Sequence, residues 1–327
     1  MSVKISVIVP IYKVEDFIER CAESLIQQTL KEVEFIFVND ATPDDSIAIL
    51  EKVIAAHPEK NGAVHIVHHD SNKGLPAARN TGMTYAKGEY IFHCDSDDYM
   101  EHDMLEQLYN KAKESDADIV WCDWFLSFEK NERYMPQPCY SSPIDALKGI
   151  LSGTMKYNVW NKLIKRSLFT ENGIEFPAGH GMGEDMTIIR LFAYAQKVAY
   201  MPKAFYHYVK LNTNAYTNTY SEQHLQDVKY NVDATIKAIE KKYSNGLVNE
   251  IEWFKLNVKL PFIFTGKKED YKLWYKWYPE ANGYILSNKN LPLRTRILQW
   301  AAWKRQYWII WLYNQLIFKI VYGIIYR

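Results

Sequence analysis

An apolar run ends abruptly in acid at Tyr90-Ile-Phe-His-Cys-Asp-Ser-Asp-Asp98. Carboxylates packed this closely repel one another and raise each other's pKa, and a divalent cation relieves that cost. Oxygen ligands of this kind suit hard ions, Mg²⁺ or Mn²⁺, which keep several waters and share their site with phosphates. Asp98 could instead cap the helix that follows, but capping uses one carboxylate and leaves Asp95 and Asp97 unexplained. A second acidic pair, Glu184-Asp185, follows Gly179-His-Gly-Met-Gly183. A carboxylate carried on such a loop can take a proton from an attacking hydroxyl, or it can serve as a first-turn acid of a helix over 185–195.

Two further segments carry polar or flat side chains just after apolar runs. Asn39 and Asp40 end the run at 33–38, where a carboxylate can accept a hydrogen bond from an imide N–H such as that of uracil, or form a turn. Pro10-Ile11-Tyr12 follows the run at 3–9, and the Tyr12 ring can stack on a base or sit half-buried at an interface.

The elements that must position these residues alternate strictly. Strands are expected over 3–9, 33–38, 64–68, 89–94 and 118–124, and helices over 16–29, 44–57, 76–86 and 101–115. The strand at 3–9 is a largely apolar, β-branched run, as a parallel strand buried on both faces requires. The rhythm predicts an α/β, Rossmann-like fold, a mostly parallel central sheet with helices on both faces. Such sheets bind ligands beyond the carboxyl ends of their strands, and residues 10–12, 39–45 and 95–98 all lie there. Helices are also expected over 144–151, 185–195, 221–243 and 247–264. Residues 1–220 are read as the catalytic domain and 221–327 as a helical, aromatic-rich C-terminal region.

Five segments together resemble the inverting glycosyltransferases of GT-A fold known as family 2. They are Val7-Ile-Val-Pro-Ile-Tyr12, Val38-Asn-Asp-Ala-Thr-Pro-Asp-Asp-Ser46, Asn72-Lys-Gly-Leu-Pro-Ala-Ala-Arg-Asn-Thr-Gly82, Gly88-Glu-Tyr-Ile-Phe-His-Cys-Asp-Ser-Asp-Asp98 and Gly183-Glu-Asp185. They stand in the family's order within residues 1–215 or so. The resemblance implies a nucleotide pocket lined by Pro10, Ile11 and Tyr12, with Asp40 reading the base and Arg79, Asp95 and Ser96 near the nucleotide. It makes Asp97 the metal ligand of an Asp-x-Asp motif and Asp185 the catalytic base, with Glu184 beside it. It implies a nucleotide-diphosphate sugar, UDP foremost, as donor, and a glycan or lipid-linked glycan acceptor in bacterial surface-polysaccharide synthesis. Two departures stand out. The family's usual Asp-Asp-Gly-Ser is here Asn39-Asp40-Ala41-Thr42, and its later aromatic-basic motif carries Lys210 in place of arginine, which keeps the charge but loses the bidentate fork. His207, in the same segment, is read as a metal ligand or a packed histidine.

Composition narrows the partners. Lys+Arg and Asp+Glu number 39 each, and a chain without basic excess is a poor candidate for binding nucleic acid. Cys21, Cys94, Cys122 and Cys139 are widely spaced with no CxxC pair, which points to reduced thiols and a cytoplasmic setting. The opening apolar run reads as a buried strand, too short for a signal peptide. Residues 307–327 are aromatic and about long enough to span a bilayer, yet Asn314, Gln315 and Lys319 interrupt them. Gln315, Lys319, Gly323 and Arg327 recur every four residues as a narrow polar stripe, behind a basic, Trp-rich stretch at 293–305. That pattern fits a helix lying in the inner face of the cytoplasmic membrane, or one packed on the protein or in a homodimer. Two other classes compete with glycosyl transfer. A nucleotidyltransferase would carry a Gly-rich basic loop near the N-terminus, which residues 9–14 lack; a non-catalytic scaffold would have no use for Asp97 and Asp185.

Overall fold

The computed structural model describes residues 2–210, 221–265 and 267–317. Its strands are β1 (Ile5–Ile11), β2 (Val33–Asn39), β3 (Val64–His68), β4 (Tyr90–His93), β5 (Tyr99–Met100), β6 (Ile119–Ser127), β7 (Glu132–Met135), β8 (Lys162–Lys165) and β9 (Val198–Val209). Its helices are α1 (Ile18–Ile26), α2 (Ser46–Ala56), α3 (Leu75–Tyr85), α4 (Met104–Ser115), α5 (Pro143–Ser152), α6 (Arg166–Asn172), α7 (Thr187–Tyr194), α8 (Glu222–Tyr243), α9 (Val248–Lys259), α10 (Lys268–Lys276), α11 (Leu293–Trp303) and α12 (Tyr307–Asn314).

Two compact units divide this chain: residues 1–146 with 157–235, and residues 147–156 with 236–327. In the first, one sheet runs in the order β3-β2-β1-β4-β8-β6-β9-β5, with β7 on β6. β1 to β4 are mutually parallel. Two successive antiparallel pairings, β4 with β8 and β8 with β6, restore the direction, so β6 and its parallel neighbour β9 point the same way as β1 to β4. The sheet is therefore mostly parallel, with β5, β7 and β8 reversed. Every residue of β1 and β4 is buried, as continuous apolar strands covered by helices demand. α3 packs on β1 and β2, and α4 on β6 and β9.

Two buried polar residues of β1 and β2 pair with each other. Ser6 Oγ donates to Glu34 Oε1 at 2.5 Å, and the N–H groups of Lys87 and Gly88 complete the cluster. Gly88 lies so close to β1 that a Cβ there would stand 2.5 Å from the Ser6 nitrogen. Register aligns the strand tips: Ile11 pairs with Asn39 and Ile8 with His93. The Asp40 N–H donates to Ile11 O and the Cys94 N–H to Ile8 O, so all three loops leave one edge of the sheet.

The second unit is helical. Its core includes Trp274, Phe254, Ile263, Ala301 and Ala302. Lys259 is fully buried and donates to Trp277 O, Tyr278 O and Asn282 Oδ1. Burial pulls its ammonium down to about 7. Asn257 and Asn288 bind the carbonyls of Leu151 and Ser152, which fixes residues 147–156 within this unit. Among the described residues no helix is long and apolar enough to cross a membrane. Of the polar stripe expected near the C-terminus, Lys319, Gly323 and Arg327 lie outside the described residues.

Candidate active site

The tips of β1 and β2 are tied together by short polar side chains. Asp44 is the hub: Oδ1 accepts from the hydroxyls of Thr42 (2.6 Å) and Ser46 (2.7 Å), and Oδ2 from the Glu15 N–H. Those hydroxyls hold its carboxyl below the ordinary range against the opposing effect of burial. Thr42 Oγ1 also accepts the Lys13 N–H, and Ser46 Oγ the Val14 N–H. Ala41 stands with φ of +53°, the left-handed conformation for which a glycine is the usual choice. Asn39 Oδ1 closes the turn on the Thr42 N–H at 2.9 Å. The alanine that stands where the family usually has glycine thus adopts a left-handed conformation.

Asp40 is buried and already well used. Its Oδ1 accepts the Lys73 N–H at 2.8 Å and lies 2.7 Å from His69 Nδ1; Oδ2 accepts the Gly74 N–H at 2.8 Å. It pins the loop that leads into α3. A carboxylate offers about four acceptor positions, so one on Oδ2 remains for a ligand. Tyr12 is 42% exposed beside this edge, with Lys13 Nζ 5.3 Å from its ring centre; Pro10 and Ile11 are buried in β1.

The acidic segment after β4 divides its labour. Asp98 is no helix cap: its Oδ1 accepts the Val209 N–H at 2.7 Å and its Oδ2 the Tyr206 hydroxyl at 2.8 Å. The short strand β5 intervenes before α4, so Asp98 is spent fastening the acidic loop to β9. Burial, then Asp97 and Asp95, push its carboxyl well up. Asp95 accepts from Arg79 Nη2 at 2.8 Å, and Ser96, next in sequence, is buried. Asp95 and Asp97 are both partly exposed.

Arg79 is 1% exposed, and its Nε and Nη1 have no hydrogen-bond partner. Burial opposes its charge, yet the carboxylates of Asp95, Asp185 and Glu184 hold it above its ordinary value. One guanidinium therefore links the two acidic motifs that the sequence set 90 positions apart.

Glu184 and Asp185 occupy a single 3-10 turn, Glu184–Met186, entered through Gly183 at φ of +86°. Burial raises Asp185 to about 6, with Arg79 pulling it back down. Burial and then Asp185 raise Glu184 to about 8. Burial thus raises both carboxyls, and their proximity opposes simultaneous ionisation of the pair. Asp185 accepts the Val159 N–H, while its Oδ1 is buried without a partner. The glycine-rich loop before it is strapped to α8: Asn231 Nδ2 donates to His180 O and Met182 O, and His180 stacks on Tyr230 at 3.7 Å.

Sequence reasoning gave no role to the segment 157–166, whose Val159 N–H supports Asp185. Lys162 is fully buried, with Nζ 2.6 Å from Asn158 O and 2.8 Å from Asn161 Oδ1. Burial pulls it down to about 7 against the opposing attraction of Asp185. Burial, then Asp185 and Glu184, push the Tyr157 phenol up to about 12. Trp160 stacks on Tyr206 and Tyr208, with centroids 4.7 and 5.3 Å apart. An adjacent asparagine and lysine inside the otherwise apolar Val159-Trp-Asn-Lys-Leu-Ile run were the available signal, since a buried ammonium needs a reason.

The two remaining expected residues lie on or beside β9. His207 is sandwiched between Tyr99 and Phe125, with Nδ1 2.7 Å from Glu132 and Nε2 3.0 Å from Glu101. Both ring nitrogens are engaged, which leaves neither for a metal in this arrangement. Lys210 is exposed, its Nζ 3.3 Å from the Tyr208 hydroxyl. Among the described residues no three His, Cys, Asp or Glu side chains converge as a metal cage. The oxygen donors of Asp95 and Asp97 instead fit an ion held mainly by phosphates and water.

Comparison with known proteins adds the lineage. The family model for Glycosyl transferase family 2 matches residues 6–187. The uncharacterized glycosyltransferase EpsJ of Bacillus subtilis (strain 168) is 33% identical over 221 residues, 65% of this chain and 62% of EpsJ. The matched stretch therefore spans about three fifths of that relative's length. Among solved structures, S. aureus TarS 1–349 in complex with UDP-GlcNAc superposes with a TM-score of 0.68 at 20% identity, covering 96% of this chain and 91% of that one. The mannosyltransferase PcManGT of Pyrobaculum calidifontis, in complex with GDP-Man and Mn²⁺, gives 0.54 at 16% identity over 95% and 86%. At these identities the likeness speaks for the fold, which is the GT-A arrangement the resemblance implied.

Proposed function

The chain belongs to glycosyl transferase family 2, and from that premise we propose that it transfers a sugar from a nucleotide-diphosphate donor, a UDP-sugar, to an acceptor hydroxyl with inversion. The acceptor is a glycan or lipid-linked glycan of bacterial polysaccharide synthesis, reached from the cytoplasmic side. The observation that carries the reading is the pairing of Asp185, a base of value about 6 with a buried unpartnered oxygen, with Asp95 through Arg79.

The hydroxyl is a weak nucleophile until a positioned base takes its proton as it attacks. Asp185 Oδ1 is the atom for that task, since the Val159 N–H orients the carboxylate and leaves this oxygen buried without a partner. Asp40, with its free acceptor position, takes the imide N–H of the base, and Tyr12 offers a stacking face. Arg79 presents Nε and Nη1 to the donor's oxygens and balances charge between the two acidic motifs. Asp97, with Asp95, would hold Mg²⁺ or Mn²⁺, which supplies neutralisation of the departing diphosphate. A single displacement uses one base and no carboxylate nucleophile.

The test is turnover by the full chain with Mn²⁺ against UDP-glucose, UDP-galactose, UDP-N-acetyl sugars and GDP-mannose, beside Asp97→Ala. The expected result is metal-dependent release of UDP, lost in the variant, with an inverted anomeric product. Retention of configuration, or no release from any donor, overturns the reading.

A further inference from the structure

The charge of this chain is unevenly spread. From Ala281 to Arg327 there is no Asp or Glu, against seven cations: Lys289, Arg294, Arg296, Lys304, Arg305, Lys319 and Arg327. The chain is neutral as a whole, so the preceding 280 residues carry a net charge of −7. Within this acid-free segment the second unit leaves an apolar helix face bare. On α12, Ile310 and Asn314 point inward, and Asn314 Nδ2 donates to Ile263 O at 3.2 Å. The opposite face carries Trp308, Trp311 and Leu312, which are 63%, 55% and 44% exposed, and Leu316 continues it one turn on at 49%. On α11, Leu293 and Ile297 are likewise open to solvent at a spacing of four. Between the two helices Lys304 and Arg305 are exposed.

From this we propose that α12, with the open residues of α11, is a docking face for an anionic lipid surface, on which the helix lies in the plane of the membrane. Tryptophan favours the boundary between headgroups and acyl chains, where its ring is buried and its N–H stays wet. Flanking cations add attraction to anionic headgroups. An apolar face on an acid-free segment, flanked by exposed cations, is the pattern of such helices, and the nearby acids that the packing of α10 brings in are Glu269 and Asp270. A second copy of this chain is a poor occupant, since pairing would set two acid-free, cationic segments against each other, and like charges across an interface oppose association. The inference is independent of the reaction assigned to the first unit.

The test is sedimentation of the full chain with vesicles of phosphatidylcholine alone and of phosphatidylcholine with phosphatidylglycerol, at low and high salt. Binding to the anionic vesicles is expected, weakening with salt and by at least about tenfold on pure phosphatidylcholine. Trp308→Ser with Trp311→Ser should weaken it by at least about tenfold. Lys304→Ser with Arg305→Ser should weaken it by about thirtyfold. All four side chains are exposed, so the thermal midpoint should hold in both variants, which separates lost docking from lost folding. No vesicle binding, binding indifferent to lipid charge, or a concentration-dependent dimer abolished by the tryptophan substitutions overturns the proposal.

Discussion

The two halves of the candidate site are built on opposite plans. At the tips of β1 and β2 nearly every polar group is answered: Asp44 by two hydroxyls and an N–H, Asp40 by two N–H groups and His69, Asn39 by Thr42. Around Arg79 and Asp185 the reverse holds. Arg79 Nε and Nη1, Asp185 Oδ1 and both nitrogens of His93 are buried and unanswered, and His93 is pushed well down by burial and Arg79. Leaving a buried polar group unpaired costs about 1–3 kcal/mol, so folded proteins keep few of them. A satisfied region is a frame. An unsatisfied one, held in place by that frame, is where a ligand supplies the missing partners.

The sharpest way to break that contrast is Asp185→Asn. The amide keeps the shape and removes the base, so kcat should fall by about 10³-fold while donor affinity, measured by calorimetry, stays within about twofold. In the unsubstituted protein kcat/KM should decline as pH drops through about 6, because the base must be ionised and protonation silences it. A variant that loses donor affinity and keeps turnover would move Asp185 out of the chemistry and into the frame.

Arg79→Met probes the same contrast more finely. Loss of a buried charge that faces the donor should cost about 10²-fold in kcat/KM. Arg79 also draws Asp185 down, so without it the acid limb of the pH profile should move upward from about 6. If Arg79 were only a strut for Asp95, the thermal midpoint would drop and that limb would stay where it is.

How much of this was legible follows from the same contrast. The strands β1, β2 and β4 announce themselves because burial on both faces forces largely apolar runs, and the acidic motifs are visible because they interrupt those runs. The partition among the acids was not visible. That Asp98 binds Val209 N and Tyr206 depends on β9, more than 100 residues away, returning to the sheet beside β6. The same long return places both His207 nitrogens against Glu101 and Glu132. Lys162 escaped notice because the residue that gives it meaning, Asp185, comes near it only through tertiary packing.

The smallest expected effect tests whether the frame is as over-determined as its hydrogen bonds suggest. Ala41 is held at φ of +53°, which costs an L-residue with a Cβ about 1–2 kcal/mol. The bonds from Thr42 N to Asn39, from Lys13 N to Thr42 and from Thr42 to Asp44 keep it there. Ala41→Gly relieves the strain, while the freer unfolded chain returns about 0.4–1 kcal/mol of that gain. A net stabilisation of about 0.5 kcal/mol should appear as a higher urea midpoint, with donor affinity unchanged, because the turn is fixed by its neighbours and not by residue 41 itself. Should donor affinity fall with the glycine present, the methyl group would be part of what keeps Asp40 and Tyr12 in place, and the tips of β1 and β2 would be less rigid than their hydrogen bonding implies.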